Sequence, residues 1–314
     1  MTRLRIAAGM VGLVGVVGAA MTAAALVPGP AQAESARASA ACSLTLGAVT
    51  VQGDHKFQTI TATSPVTAST PVVRPKGLFP VDQVRLATSL GWEPDPPSAM
   101  VSRGYVTIGT DLYRFSYAID NSTGQLDPAS YVKSKVGGGW IHQTYLDQST
   151  FFTANGPRTN TYALQDDVIT RWTVEGSAWR NKATYSGFSA VKTMTLISQT
   201  ATYDSFLANT RGGALYTIRI PLSGAPVVKK VRTSTWQTFD TLIAERCGKQ
   251  STLLLGIDKD TRTAYLYAVS HANGAATVIN GLGKVGNQLV APEDKTYFRY
   301  FAGSSEADDL LYGE

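Results

Sequence analysis

Gly91-Trp92, Gly139-Trp140, Gly187-Phe188 and Thr235-Trp236 place a large aromatic residue at steps of 48 positions (140 minus 92, 188 minus 140, 236 minus 188), and three of the four follow glycine. Self-similarity at a period of about 20 to 50 residues marks a repeat architecture, and it has to be read before any local signal. Downstream of each aromatic comes a strand-like run, a turn and a second run. The second runs are Asp111 to Phe115, Ile169 to Val174, Ala214 to Ile220 and Ala264 to Val269. Each alternates as a strand with one buried face does. Turn signals precede them at Gly109-Thr110, Asp166-Asp167, Arg211-Gly212-Gly213 and Asp258-Lys259-Asp260.

The third and fourth copies superimpose in more detail. Thr195-Leu196-Ile197-Ser198 matches Thr241-Leu242-Ile243-Ala244, and Phe206-Leu207-Ala208-Asn209 matches Leu253-Leu254-Leu255-Gly256 after a one-residue slip. Four strands in a unit of nearly 50 residues is the arithmetic of a β-propeller blade. One more step from Trp236 reaches Lys284, and the 31 residues from there to Glu314 are too few for a whole blade. The missing strands are available at the other end, where Ser43 to Val51 and Phe57 to Thr63 read as a hairpin. A blade shared by both termini removes exposed sheet edges. The expected fold is all-β, a five-bladed β-propeller whose last blade is closed by N-terminal strands. It forms one domain over 34–314, with the Ser/Thr/Pro-rich stretch 64–80 as a connecting loop.

Ahead of that domain, Met1-Thr2-Arg3-Leu4-Arg5 is short and basic, Ile6 to Val27 is apolar, and Ala31-Gln32-Ala33 is a small-residue cleavage tripeptide. This is the layout of a secretory signal over 1–33, so the mature protein is expected to be secreted, with no membrane association after processing. Loss of Arg3 and Arg5 lowers the formal charge from +5 to +3, without a run of Lys or Arg, which argues against a nucleic-acid or anionic-membrane partner. In an oxidising compartment an isolated cysteine pair is expected to bridge. Cys42 and Cys247 would then tie the first strand to a point 205 residues further on.

Through its period, its blade count and the aromatic series Trp92, Trp140, Phe188, Trp236, the chain resembles the tachylectin-type five-bladed propeller lectins. The resemblance implies the architecture and a ligand class, carbohydrate. The four aromatics admit two readings: planar platforms for the apolar face of a pyranose, hence ligand-binding residues, or wedges that seat each blade against the next.

Chemistry beyond binding has little material. Asp147, Glu175, Asp204 and Asp240 are the candidates for the carboxylate pair of a glycosidase, and Asp204 and Asp240 sit in look-alike segments that suggest a strand-entry or turn role. His55, His142 and His271 fall in separate segments and read as surface residues, and no nucleophile motif accompanies them. No catalytic residue, metal site or cofactor is therefore assigned. The sequence points to a secreted carbohydrate-binding propeller whose partner is a glycan or cell-wall polysaccharide. A glycan hydrolase with its carboxylates in the central channel, and a scaffold for a secreted protein partner, are the alternatives.

Overall fold

The computed structural model describes residues 41–95, 98–286, 289–302 and 311–314. The expected signal segment lies outside the described residues. Among those described there is no α-helix, and no helix long and apolar enough to cross a membrane.

The strands run in chain order as Ser43–Thr50 (β1), His55–Thr61 (β2), Thr67–Ala68 (β3), Val72–Val73 (β4), Val84–Ala87 (β5), Leu90–Asp95 (β6), Ala99–Ile108 (β7), Asp111–Asp120 (β8) and Leu126–Gly138 (β9). Three groups of four follow. They are Gln143–Thr153, Gly156–Gln165, Val168–Glu175 and Ala178–Tyr185 (β10 to β13), then Val191–Gln199, Tyr203–Thr210, Leu215–Pro221 and Val227–Arg232 (β14 to β17), then Thr241–Arg246, Thr252–Asp258, Thr263–Val269 and Ile279–Lys284 (β18 to β21). Asp294–Ala302 (β22) completes the set.

Each group of four is an antiparallel sheet in sequence order, and every expected second run lies in the third strand of its sheet or in β8. The remaining strands form one larger sheet. In it β1 pairs with both β2 and β22, so the N-terminal hairpin joins the last strand (Gly47 opposite both Phe57 and Phe298). The stretch expected to be only a loop contributes β3 and β4, which both pair with β2 as an outer edge. One pairing was not foreseen. β22 runs parallel to β6, with Tyr300, Phe301 and Ala302 opposite Leu90, Gly91 and Trp92, and this fuses the terminal unit to the unit built on β5 to β9.

The strands that begin the units lie side by side: β5 beside β10, β10 beside β14, β14 beside β18, β18 beside β22, and β22 beside β5. Their apolar residues are buried between adjacent sheets. Leu196, Phe206 and Ile218 pack with Tyr162 and Ile169 of the preceding sheet, and Leu242 and Leu254 pack with Ile197 and Leu207 of theirs. The Cys42–Cys247 disulfide fastens the chain ahead of β1 to the turn after β18.

The aromatic series marks one repeated device and one coincidence. The amides of Trp140, Phe188 and Trp236 donate to the carbonyls of Thr110, Asp167 and Gly213, each in the central turn of the preceding unit, at 2.9 to 3.0 Å. The residue that makes the same bond ahead of β5 is Phe79, whose amide donates to Gly53 at 2.9 Å. Trp92 instead lies inside β6, opposite Ser102. The β6–β7 hairpin lengthens the first unit, so Phe79 stands 61 residues before Trp140 (140 minus 79) and the 48-residue step lands on the wrong aromatic.

Candidate functional site

Facing residues of β5, β10, β14, β18 and β22 enclose a narrow channel of about 110 Å³. Ser89, Asp147, Thr195 and Arg299 line it and also line a wider cavity of about 340 Å³, so they form the wall common to the two. That cavity shares Arg103, Gln148, Pro157 and Thr159 with a third, of about 590 Å³, which runs between the β7–β8–β9 face and the strands β10 to β12. The two larger spaces are one groove. It leads from the end of the channel outward between two sheets, and its size suits a multi-ring ligand.

Strand register builds one side of this groove. Arg103 is opposite Ser116 and Tyr105 is opposite Arg114, so Arg103 and Arg114 project from one face as diagonal neighbours, about 7 Å apart. Across from them stand Gln148 of β10, Thr159 of β11, and Val174 and Glu175 of β12. The side-chain amide of Gln148 makes no hydrogen bond among the described residues. Phe152, 37 % exposed, lines the inner part of the groove with Phe301 and Leu311.

At the channel end the charges are committed. Asp147 is buried, and its carboxylate accepts from the Ser89 amide (2.8 Å), the Ser89 hydroxyl (3.2 Å), the Tyr145 hydroxyl (3.4 Å) and the Gln148 amide (2.8 Å). Burial pushes this carboxyl above the ordinary aspartate range, while the amide and hydroxyl donors and the Arg299 charge pull the other way. Arg299 donates to both oxygens of Glu245, each at 2.8 Å. Further out the ion pairs are exposed: Arg103 to Glu93 at 2.9 Å and Arg180 to Glu175 at 3.2 Å, every side chain about half exposed or more. Such pairs hold weakly.

The residues singled out in the sequence are distributed differently from the expectation. Trp140 (7 % exposed), Phe188 (7 %) and Trp236 (5 %) are core residues. Trp140 packs against Trp172 and Trp179, and Trp236 against Phe239 and Tyr267, so their ring faces are occupied by protein. Of their two readings the wedge fits this geometry, and the stacking platform does not. Trp92 is half-buried against the core beneath β6. The four carboxylate candidates lie in four settings. Asp147 is in the channel wall, Glu175 at the rim of the groove, and Asp240 at the opposite channel end, paired with Lys192 at 2.8 Å. Asp204 is the second residue of β15, at the strand's entry rather than in a turn, and its buried carboxylate is bonded to Arg158, Ser149, Asn160 and Tyr162, which removes it from catalytic duty.

His142 and His271 are exposed, whereas His55 is buried: it is the first residue of β2 and its ring is ringed by Phe57, Tyr117, Phe298 and Tyr300. No three His, Cys, Asp or Glu residues gather as a metal-binding group among the described residues. The groove residues Arg103, Arg114 and Gln148 carry no motif. Alternation in the run Asp111 to Phe115 does not mark Arg114 either, because it shares its strand face with the buried Leu112.

No protein-family model matches the chain, and no curated protein does. Solved structures resemble it in shape. The α-L-arabinofuranosidase PaAbf62A from Podospora anserina, in complex with cellotriose, has a TM-score of 0.45 at 11 % identity, over 73 % of this chain and 80 % of that one. Aleuria aurantia lectin, a six-bladed β-propeller with a fucose-recognition mode, has a TM-score of 0.41 at 13 % identity, over 80 % of both chains. A triple mutant of AofleA from Arthrobotrys oligospora has 0.42 at 8 % identity, over 84 % and 91 %. Likeness at this level concerns shape alone and says nothing about the groove.

Proposed function

We propose that this chain is a secreted carbohydrate-binding β-propeller that holds a glycan chain, such as a cell-wall polysaccharide, in the groove between its first two units. Five four-stranded units, the last completed by β1 and β2 as in the tachylectin-type arrangement, are the architecture we assign. The side-by-side succession of β5, β10, β14, β18 and β22 supports it. The disulfide suits an extracellular protein.

The observation that carries the binding reading is the continuity of the groove. Its two cavities, about 590 and 340 Å³, share the wall of Arg103, Gln148, Pro157 and Thr159. Such a space admits several sugar rings in file. Guanidinium forks and a free amide supply the donors and acceptors that hydroxyl-rich ligands require. The carboxylates along it are paired with arginines or held by amides, as a binding surface rather than an acid–base pair would have them.

A hydrolase reading keeps one observation in its favour: the Asp147 carboxyl, raised by burial, stands where channel and groove meet. A raised carboxyl is what a general acid needs. It also needs a second carboxylate about 5 to 10 Å away, and at this end Glu245 is clamped by Arg299. Binding of the purified protein to a glycan panel, with released sugar measured on the same samples, separates the readings. Binding without release, weakened by Gln148→Ala, is the expected result. Release of sugar would establish the hydrolase, and neither binding nor release would leave a protein partner as the function.

A further inference from the structure

The charge on the two sides of the groove is unequal. Arg103 has Glu93 as its ion-pair partner, and the contact is exposed on both sides (57 % and 49 %). Arg114, an exposed residue of the same face, forms no ion pair among the described residues. The facing wall supplies Gln148, Thr159 and Val174, all uncharged, and of its carboxylates Glu175 is already turned to Arg180, while Asp147, at the channel end, is held by amide and hydroxyl donors. One sheet face therefore presents two guanidinium groups at diagonal positions, of which one is uncompensated and the other only loosely held.

We infer that the groove takes an acidic glycan, one whose rings carry carboxylate, sulfate or phosphate groups. This rests on the carbohydrate-binding reading and narrows it. A guanidinium offers paired N–H donors in a plane, which match the two oxygens of a carboxylate or phosphate. An anionic group at Arg114 meets a charge with no internal competitor. A second anionic group displaces Glu93 from Arg103 at little cost, because an exposed pair contributes little. Neutral sugars would leave the Arg114 charge without a partner. The diagonal positions are about 7 Å apart at the backbone, so two long side chains rooted there can reach neighbouring anionic groups of one chain.

The test uses the full mature protein and matched pairs of polymers. Polyuronates, sulfated polysaccharides and phosphodiester-linked wall polymers are each compared with a carboxyl-reduced, desulfated or dephosphorylated counterpart. Binding is measured by titration calorimetry at about 50 and about 500 mM NaCl, a range over which exposed charge interactions are progressively screened. The expected result is binding to at least one acidic polymer, at least tenfold weaker for its neutral counterpart and weakened by salt. Arg114→Glu should lower affinity about ten- to hundredfold, and Arg114→Lys should restore part of it, because it keeps the charge and loses the fork. Arg114 is exposed, so both variants should keep the parent melting temperature, and loss of binding in a folded variant reads the site directly.

Equal affinity for neutral and acidic members of a pair, or indifference to Arg114→Glu, overturns the acidic-ligand inference and leaves carbohydrate binding intact. Binding to no polymer of either kind overturns both. Capture of anionic lipid vesicles without binding to any acidic polysaccharide overturns it as well.

Discussion

Arg158 and Asp204 face each other across two sheets in a two-pronged ion pair, with Nη1 and Nη2 donating to the two carboxylate oxygens at 2.9 and 2.8 Å. Asp204 is fully buried on β15 and also accepts from the Ser149 hydroxyl (2.8 Å), the Asn160 amide (3.1 Å) and the Tyr162 hydroxyl (2.6 Å), all on the preceding sheet. Taking one partner away leaves the other charge buried and uncompensated, which costs far more than an exposed pair ever contributes. Asp204→Asn should therefore destabilise the protein by roughly 3 to 5 kcal/mol. The check is chemical denaturation. A change below about 1 kcal/mol, the worth of a surface pair, would show that this carboxylate does not lock the two sheets.

The aromatic wedges give a prediction of a different kind. Trp236 is 5 % exposed, its carbonyl accepts from the Asn209 side-chain amide at 2.7 Å, and its ring packs on Phe239 and Tyr267. Trp236→Ala should cost about 3 to 5 kcal/mol through lost burial and the cavity left behind. Glycan affinity of the fraction that remains folded should be unchanged. Selective loss of binding at unaltered stability would return Trp236 to the role of a sugar platform.

The contrast between these residues and the groove explains what the sequence could disclose. Alternation in short runs such as Ala264 to Val269 reveals strands because it reports a local property, one buried face per strand. The likeness of Thr195–Ser198 to Thr241–Ala244 located two equivalent first strands for the same reason, since both face the centre. Trp92 misled because a fixed step assumes units of equal length, and the extended β6–β7 hairpin breaks that assumption. The groove had no local signature at all. Arg103, Arg114, Gln148 and Glu175 come from four strands of two sheets, and only sheet-on-sheet packing puts them around one space.

His55 ties stability to pH. Its ring is fully buried, Nδ1 is 2.5 Å from the Tyr117 hydroxyl, and desolvation lowers its pKa from 6.5 to about 3. Between those values the folded protein keeps His55 neutral while the unfolded chain takes up a proton. Its contribution is therefore complete above the unfolded pKa and is lost as pH falls. Asp147 and Asp294 act oppositely, since burial raises their carboxyls and favours the folded state on acidification. Comparison with His55→Phe isolates the histidine. From pH 7 to pH 5 the parent should lose roughly 2 kcal/mol more than the variant. Parallel stability curves for the two proteins over that range would rule out a buried, neutral His55.

Asp147 and Asp204 are both buried carboxylates, yet their amide replacements should behave differently. The donors to Asp147 Oδ2 are the hydroxyls of Ser89 and Tyr145, which can rotate to accept from an amide NH₂, while the Ser89 and Gln148 backbone amides still find the remaining oxygen. Arg158 has no such freedom, because a guanidinium only donates. Burial already disfavours the Asp147 charge, so a neutral side chain of the same shape relieves part of that penalty. Asp147→Asn should shift stability by less than about 1.5 kcal/mol, the net worth of an ordinary hydrogen bond, and should leave glycan affinity unchanged. If any glycan is hydrolysed by the parent protein, the same variant decides the chemistry. Loss of turnover by a factor of about 100 or more with binding retained would make Asp147 the proton donor, and retained turnover would place the reaction on other residues.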